Sequence, residues 1–368
     1  WQTACAGAVA PEIARSISLA YPAIGNAGRV SWAHSDVGAA SEGAVTIPLR
    51  AAAAALRPPP GFATPPRPNG PRPSLIYVID GGGSLHTINV SNGDEMAAPM
   101  EFVRSGSAAQ GLTVVDTFAY AVTHPCNGTG AGVWAVDLAT RQVVHWSPAN
   151  PAKSPDADVA GSGGVAFAPD GTIYAATTAG KLVALAAKTL AVKDSYDAGS
   201  PFTSSPVVFS YKGRNLVAAA TRDGSIHLID AASSALISKT LPNAQALNPG
   251  VLAAWQSPAG ARSLLASSSD SVTAWTVEEH DGAIALKIAW SRNIKGSLPP
   301  TIINGVVFLL SSNPAVLRAL DGATGTALWD SGKTIAGIAG GGLTGGASQL
   351  YLSTQDGTIY AFGFPIEH

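Results

Sequence analysis

Charge is scarce in this chain. Of 368 residues only 12% are Asp, Glu, Lys or Arg, and the formal net charge is −2. No basic run is present, which excludes an electrostatic groove for nucleic acid and a patch for anionic membranes. Cysteine is nearly absent, with Cys5 and Cys126 alone. Two cysteines in so long a chain make no disulfide framework, and they lack the Cys-x-x-Cys spacing of zinc, iron–sulfur or haem-attachment sites. In an exported protein the two could pair and tie the N-terminal segment to the body; otherwise they are small buried thiols. No run of 18 apolar residues occurs, so no membrane-spanning helix is expected. The chain opens at Trp1 with neither a basic leader nor an apolar stretch after it, and reads as a mature or truncated form whose export signal is missing.

Recognisable catalytic spacings are missing too. There is no Gly-x-Ser-x-Gly elbow, Walker loop or kinase set. The seven His residues are scattered, without His-Glu-x-x-His or any other metal-ligand spacing. Helical periodicity is absent after Ser74, which excludes an α or α/β fold there.

What the sequence has in quantity is Gly (40) and Pro (26), beside a 46% hydrophobic content that rules out disorder for most of the chain. Apolar runs of four to six residues, bounded by Gly, Asp or Asn, recur from Ser74 onward. Clear copies are Thr172–Leu185, Leu216–Asp230, Val307–Trp329 and Leu350–Phe362, with weaker ones around Gly82, Gly128 and Asp270. From Gly82 to Gly357 there are 275 residues, six intervals of about 46 each, the spacing of four-stranded blades. Short strands joined by Asp-Gly turns, apolar on both faces, are stable only when stacked radially. The fold expected is therefore all-β, a seven-bladed β-propeller of four-stranded antiparallel blades, with eight blades as the alternative.

One blade divides as Ser205–Phe209, Asn215–Ala220, Ser225–Asp230 and Leu236–Leu241. Another divides as Gly250–Ala254, Ser263–Ser267, Ser271–Val277 and Leu286–Trp290. The last repeat runs out after Phe362 and lacks an outer strand. Gly28-Arg29-Val30-Ser31-Trp32 has the Gly and Trp spacing of Gly325–Trp329, so Arg29–Trp32 is expected to close the ring, with Val45–Leu49 as the inner strand of the first blade. The chain thus divides into an N-terminal segment, 1–40, and a propeller, 41–368, with a Pro-rich surface excursion at 57–73.

The repeat, apolar–aromatic–x–x–Ser/Thr–x–Asp–Gly–x–Ile/Leu–x–Ala–Leu–Asp–x–x–Thr–Gly–x–x–Leu–Trp, is clearest from Val307 to Trp329 and from Gly132 to Trp146. It resembles the repeat of pyrrolo-quinoline-quinone-type propellers, the quinoprotein alcohol dehydrogenase-like superfamily, over most of residues 28–364. The resemblance implies that Trp32, Trp146, Trp290 and Trp329 dock into the neighbouring blade. It also brings in pyrroloquinoline quinone with calcium as a cofactor. Enzymes of that type carry an adjacent-cysteine ring, whereas Cys5 and Cys126 are far apart.

The Asp-Gly pairs read as turns in preference to calcium ligands. Asp156 and Asp158 form a solvated loop and are the better cation candidates, and Gly340–Gly346 reads as crowded inner-strand packing. His124, at the start of the longest hairpin loop, and Arg222 with Asp223 in the corresponding loop of another blade are the candidate ligand-binding residues at a funnel mouth. No catalytic or metal-ligating residue is assigned. The reading is an exported, periplasmic or extracellular, non-catalytic binding or scaffolding module for an envelope protein, peptide or saccharide. The rivals are a quinone-dependent oxidoreductase and a metal-dependent hydrolase or lactonase with its site in the central channel. Outer-membrane assembly lipoproteins are the precedent that the resemblance supplies for the first of these.

Overall fold

The computed structural model describes residues 16–20, 75–80, 82–89, 94–125, 130–148, 157–241, 250–257, 259–268, 270–339, 343–346, 349–354 and 359–363. These residues form strands and turns and contain no helix.

The strands fall into seven sheets. The first holds β1 (Ser16–Ala20), β2 (Leu75–Ile79), β3 (Ser84–Asn89) and β4 (Met100–Glu101). The second holds β5 (Ala108–Val115), β6 (Phe118–His124), β7 (Gly132–Asp137) and β8 (Val143–Trp146). The third holds β9 (Ala166–Phe167), β10 (Thr172–Ala176), β11 (Lys181–Ala186) and β12 (Val192–Asp197). After the two-residue β13 (Ser204–Ser205) comes the fourth, with β14 (Val207–Tyr211), β15 (Arg214–Ala220), β16 (Ile226–Asp230) and β17 (Leu236–Lys239). The fifth holds β18 (Gly250–Gln256), β19 (Arg262–Ser267), β20 (Ser271–His280) and β21 (Ala283–Asn293), with β13 added parallel to β18. The sixth holds β22 (Thr301–Ile303), β23 (Val306–Ser312), β24 (Ala315–Asp321) and β25 (Ala327–Asp330). The seventh has three described strands, β26 (Thr344–Gly346), β27 (Gln349–Ser353) and β28 (Ile359–Gly363).

Apart from the parallel β13, each sheet is an antiparallel meander, and side-chain alternation makes both of its faces apolar. Successive residues of a strand face opposite sides. Leu216 and Val217 of β15 are both fully buried, yet they enter different cores. Leu216, Ala218 and Leu228 pack with Leu252, Leu264 and Ala266 of the fifth sheet. Val217, Ala219 and Ile229 pack with Tyr174, Ala176 and Leu182 of the third. Burial of one such aliphatic side chain is worth roughly 1.5–3 kcal/mol, so a sheet stripped of either neighbour would expose several of them. Outer strands differ: in β12 every residue but Tyr196 is exposed.

Inner strands crowd. A Cβ built on Gly111 of β5 would sit 2.4 Å from Gly164 Cα, just before β9. One on Gly345 of β26 would meet Ile303 Cδ1 at 2.4 Å. The inner strands also succeed one another in space: β9 lies beside β14, β14 beside β18, β18 beside β22, β22 beside β26, and β1 against both β5 and β26.

The strand paired with β2 is Ser16–Ala20, in the place expected for Val45–Leu49. Both stretches have the alternation of a strand, but Pro48 would remove a ladder donor from the second. Arg29–Trp32, residues 45–49, the Pro-rich stretch 57–73, Cys5, Cys126 and Asp156 lie outside the described residues.

The Asp-Gly turns consume their own carboxylates. Asp170 accepts from the Thr172 amide, and Asp321 Oδ1 from the amides of Ala323 and Thr324. Gly224, at φ 81°, provides the left-handed position that lets β15 turn back as β16.

Candidate binding face

The second strand of a sheet ends in a buried hydroxyl. Thr123, Thr177 and Thr221 close β6, β10 and β15, all at most 2% exposed. Thr177 Oγ1 accepts from Lys181 N and donates to Lys181 O, both at 3.0 Å, which locks the turn into β11. Thr221 Oγ1 lies 2.6 Å from Asp223 Oδ1 and 3.1 Å from Ser225 O. Thr123 Oγ1 accepts from Trp134 Nε1 at 2.9 Å. These turns meet the segments that cross between sheets. The amide of Phe202 donates to Thr177 O, that of Arg222 to Pro201 O, and that of Ala339 to Ser312 O. Turns and crossings therefore share one face, and in sheets three, four and six a backbone hydrogen bond ties the turn to a crossing.

His124 lies on this face at the end of β6. Its Nδ1 is 3.0 Å from Asp158 Oδ2, on the crossing into the third sheet, with side-chain exposures of 12% and 23%. Asp158 N donates to Thr178 Oγ1 at 2.9 Å, and Asp158 O accepts from Thr178 N. Asp158 thus joins the turns of sheets two and three, and its carboxylate faces a histidine side chain. Arg222 and Asp223 sit on the turn of sheet four, both exposed. Asp223 is held below the ordinary carboxylate range, chiefly by the Thr221 hydroxyl, against the opposing effect of burial and with further help from the Ser225 amide. No hydrogen bond or ion pair among the described residues joins His124 to Arg222 or Asp223. The three share a face without forming one cluster.

A further group there escaped the sequence reading. His86 of β3 is 3.2 Å from Asp80 Oδ2 through Nε2 and 2.8 Å from Glu95 Oε1 through Nδ1. Burial opposes its protonation, but the hydrogen bonds and charges of the two carboxylates outweigh burial and raise its pKa. No motif flags this group, because Asp80, His86 and Glu95 are spaced by strand pairing.

Trp146, Trp290 and Trp329 lie at sheet boundaries on the outer strands β8, β21 and β25. Trp290 Nε1 donates to Gly322 O at 3.0 Å, in the turn joining β24 to β25 of the next sheet. Trp146 packs with Ile173, Leu185 and Leu190 of the third sheet, and Trp329 meets Phe362 of the seventh at 6.0 Å between centroids. Trp32 lies outside the described residues.

Toward the centre the chemistry is neutral. Gly163 N donates to Ser205 Oγ at 2.9 Å, and a Cβ on Gly163 would come within 2.7 Å of Val251 Cγ2, so the non-consecutive sheets three and five meet there. The inner strands β1, β5, β9, β14, β18, β22 and β26 contain no Asp, Glu, Lys, Arg or His. Among the described residues no three His, Cys, Asp or Glu side chains are placed to hold a metal ion. A quinone bearing carboxylates and bound with calcium requires charged partners, and these strands offer none, so they do not fit it. No catalytic step follows from that group here.

Stacked antiparallel sheets, small inner strands and tryptophans docked across sheet boundaries define a β-propeller with pyrrolo-quinoline-quinone-type repeats. The family model described as Outer membrane protein assembly factor BamB matches residues 122–235 and 222–364. The chain belongs to that family. Among solved structures it is similar to BamB from Moraxella catarrhalis, at 16% identity and a TM-score of 0.53, covering 79% of this chain and 82% of that one. A europium-containing methanol dehydrogenase matches at 14% identity and a TM-score of 0.51, covering 78% and 70%. The β-propeller domain of Cps50 (Swd1) from Myceliophteria thermophila matches at 13% identity and a TM-score of 0.59, covering 79% and 93%. At these identities the likenesses establish the fold. No curated protein matches the chain in sequence. No helix among the described residues is long and apolar enough to cross a membrane.

Proposed function

We propose that this chain is a non-catalytic, seven-bladed scaffold of the cell envelope that binds a protein partner through the turn-and-crossing face. The observation that carries the reading is a contrast within one molecule. That face bears Asp80, His86, His124, Asp158, Arg222 and Asp223 on the turns, the crossings and the strand residues next to them, while the inner strands are uncharged. A rigid polar rim lowers the ordering cost of association, and a neutral centre supplies no acid, base or metal ligand for catalysis.

Ring closure is part of the proposal. It is supported by β1 lying against β26 and by the seventh sheet having three strands among the described residues, which leaves the place proposed for Arg29–Trp32. The envelope location is supported by the family, whose description names outer membrane protein assembly. Saccharide or peptide ligands are the alternatives on the same face.

The test is site-specific photo-crosslinking in intact cells. A crosslinking residue at exposed Arg222 should give an adduct with an envelope protein, and one at Ala232, in the turn at the other end of the fourth sheet, should not. Absence of an adduct at Arg222, or equal adducts at both positions, would overturn the reading.

A further inference from the structure

A cleft of about 560 Å³ opens between the fifth and sixth sheets, at the outer ends of β21 and β25 and away from the turn residues above. Arg292, Arg318 and Asp330 provide its charge, and Ile294, Leu320 and Leu328 its apolar wall. The two arginines are set differently. Arg292 donates through Nε to Gly325 O at 2.9 Å and through Nη2 to Thr324 O at 2.7 Å, and its guanidinium lies 5.9 Å from the Trp290 ring. These bonds fix it against the turn of the next sheet. Arg318, half-buried on β24, has one hydrogen-bond partner among the described residues, donating through Nη1 to the neutral Ser311 Oγ at 2.7 Å.

Among the described residues neither arginine has a carboxylate within ion-pair distance. Asp330 is the register partner of Arg318 across β24 and β25, but its Oδ1 accepts from the Gly332 amide. The cleft therefore holds two guanidinium charges and one carboxylate, a balance of one positive charge. A half-buried guanidinium with most of its donors unused is an unfilled site for a planar anion.

We propose that this cleft binds a peptide carboxylate that follows an apolar residue. The carboxylate takes the free donors of Arg318, with Arg292 at its flank, and the apolar side chain rests on the exposed Leu328. The single positive balance matches a monoanion. The choice of a peptide over a small acid rests on Leu328, which is 52% exposed beside the charge and gives a neighbouring side chain apolar area to cover. The site is separate from the turn-and-crossing face, and failure of either proposal leaves the other standing.

Isothermal titration calorimetry on the full chain tests it, with acetyl-Leu-Phe as the free acid, the same dipeptide as its C-terminal amide, and acetate. The free acid should bind at least tenfold more tightly than the amide or acetate. R318M should lose that binding while R318K keeps part of it. Asp330→Asn should tighten binding several-fold, an effect that misfolding would not produce. Equal binding of acid and amide overturns the proposal, as does binding unaffected by R318M. Acetate binding as tightly as the peptide assigns the site to small acids and overturns the peptide assignment.

Discussion

Trp290 reaches out of the fifth sheet and donates its indole proton to the carbonyl of Gly322, 3.0 Å away in the sixth. The indole also lies over Gly325, where a Cβ would come within 2.7 Å of the ring. One side chain thus supplies apolar area, a hydrogen bond and a steric reason for glycine in the partner turn. It couples two sheets whose own ladders do not touch the bond.

Trp290→Phe should keep most of the packing and lose the hydrogen bond, a cost of about 1 kcal/mol. Trp290→Ala should cost about 3–5 kcal/mol, because the ring is 6% exposed and its cavity cannot collapse onto a turn. Urea unfolding of the two variants checks the ordering. Equal losses would show that the hydrogen bond carries the whole effect.

Gly111→Ala should destabilise far more than Gly106→Ala. Both residues have positive φ, 61° and 78°, so both variants bear a backbone penalty of about 1–2 kcal/mol. A Cβ at Gly106 meets nothing within 4 Å, whereas at Gly111 it overlaps the backbone of Gly163 and Gly164. The difference in unfolding free energy measures the crowding of inner strands, on the order of 1–3 kcal/mol.

His227 should weaken the fold in acid. It is 2% exposed, accepts or donates a 2.9 Å bond with Tyr196 Oη, and burial pushes its pKa below the usual 6.5, with the Lys239 charge adding to the effect. The folded state then binds fewer protons than the unfolded state, so this stability is complete above the unfolded pKa and is lost as pH falls below it. His86 acts in the opposite sense, its raised pKa giving stability that is present below 6.5 and lost as pH rises through the folded value. Thermal unfolding from pH 5 to 8 should show a shallower acid loss in His227→Gln and a steeper one in His86→Gln. Histidine NMR titrations should place the two residues on opposite sides of 6.5.

Thr221→Val should release Asp223. The Thr221 hydroxyl is the main cause of the low Asp223 pKa, so its removal should move the carboxyl up toward the ordinary range. The stability tied to Asp223 is present above its unfolded pKa of 3.8 and disappears as pH falls through the lower folded value. Carboxyl carbon NMR of the variant reads the shift. An unmoved Asp223 would mean that the Ser225 amide alone holds it.

Much of the architecture was legible because it is periodic. The strands seen at β15, β16, β18, β19 and β20 begin or end within two or three residues of the limits expected from the apolar runs, since turn chemistry at Gly224 and Asp270-Ser271 marks their ends. The outer strands were less legible. β12, β17, β21 and β25 each carry a bulged residue opposite the third strand, which breaks alternation at Lys193, Ile237, Ala289 and Leu328. Such bulges twist an exposed edge and discourage pairing with another chain. The strand in the first sheet escaped the reading because Ser16–Ala20 lies 54 residues before its partner β2, with no turn signal to join them.

The candidate face followed the same division. His124, Arg222 and Asp223 were visible as unusual residues in corresponding turns. The Asp158 partner of His124 is 34 positions away and belongs to another sheet, so no local spacing could disclose it. The cleft lined by Arg292 and Arg318 was equally hidden, being built from two sheets at once.

By itself the sequence determined the strand period, the turn positions and the repeat that marks the family, because each depends on residues close together in the chain. Tertiary structure alone decided which strand pairs with β2, which carboxylate faces His124 and which cleft two arginines share with a single carboxylate. Those contacts depend on how sheets stack, and stacking is driven by apolar area with no preference for any charged partner.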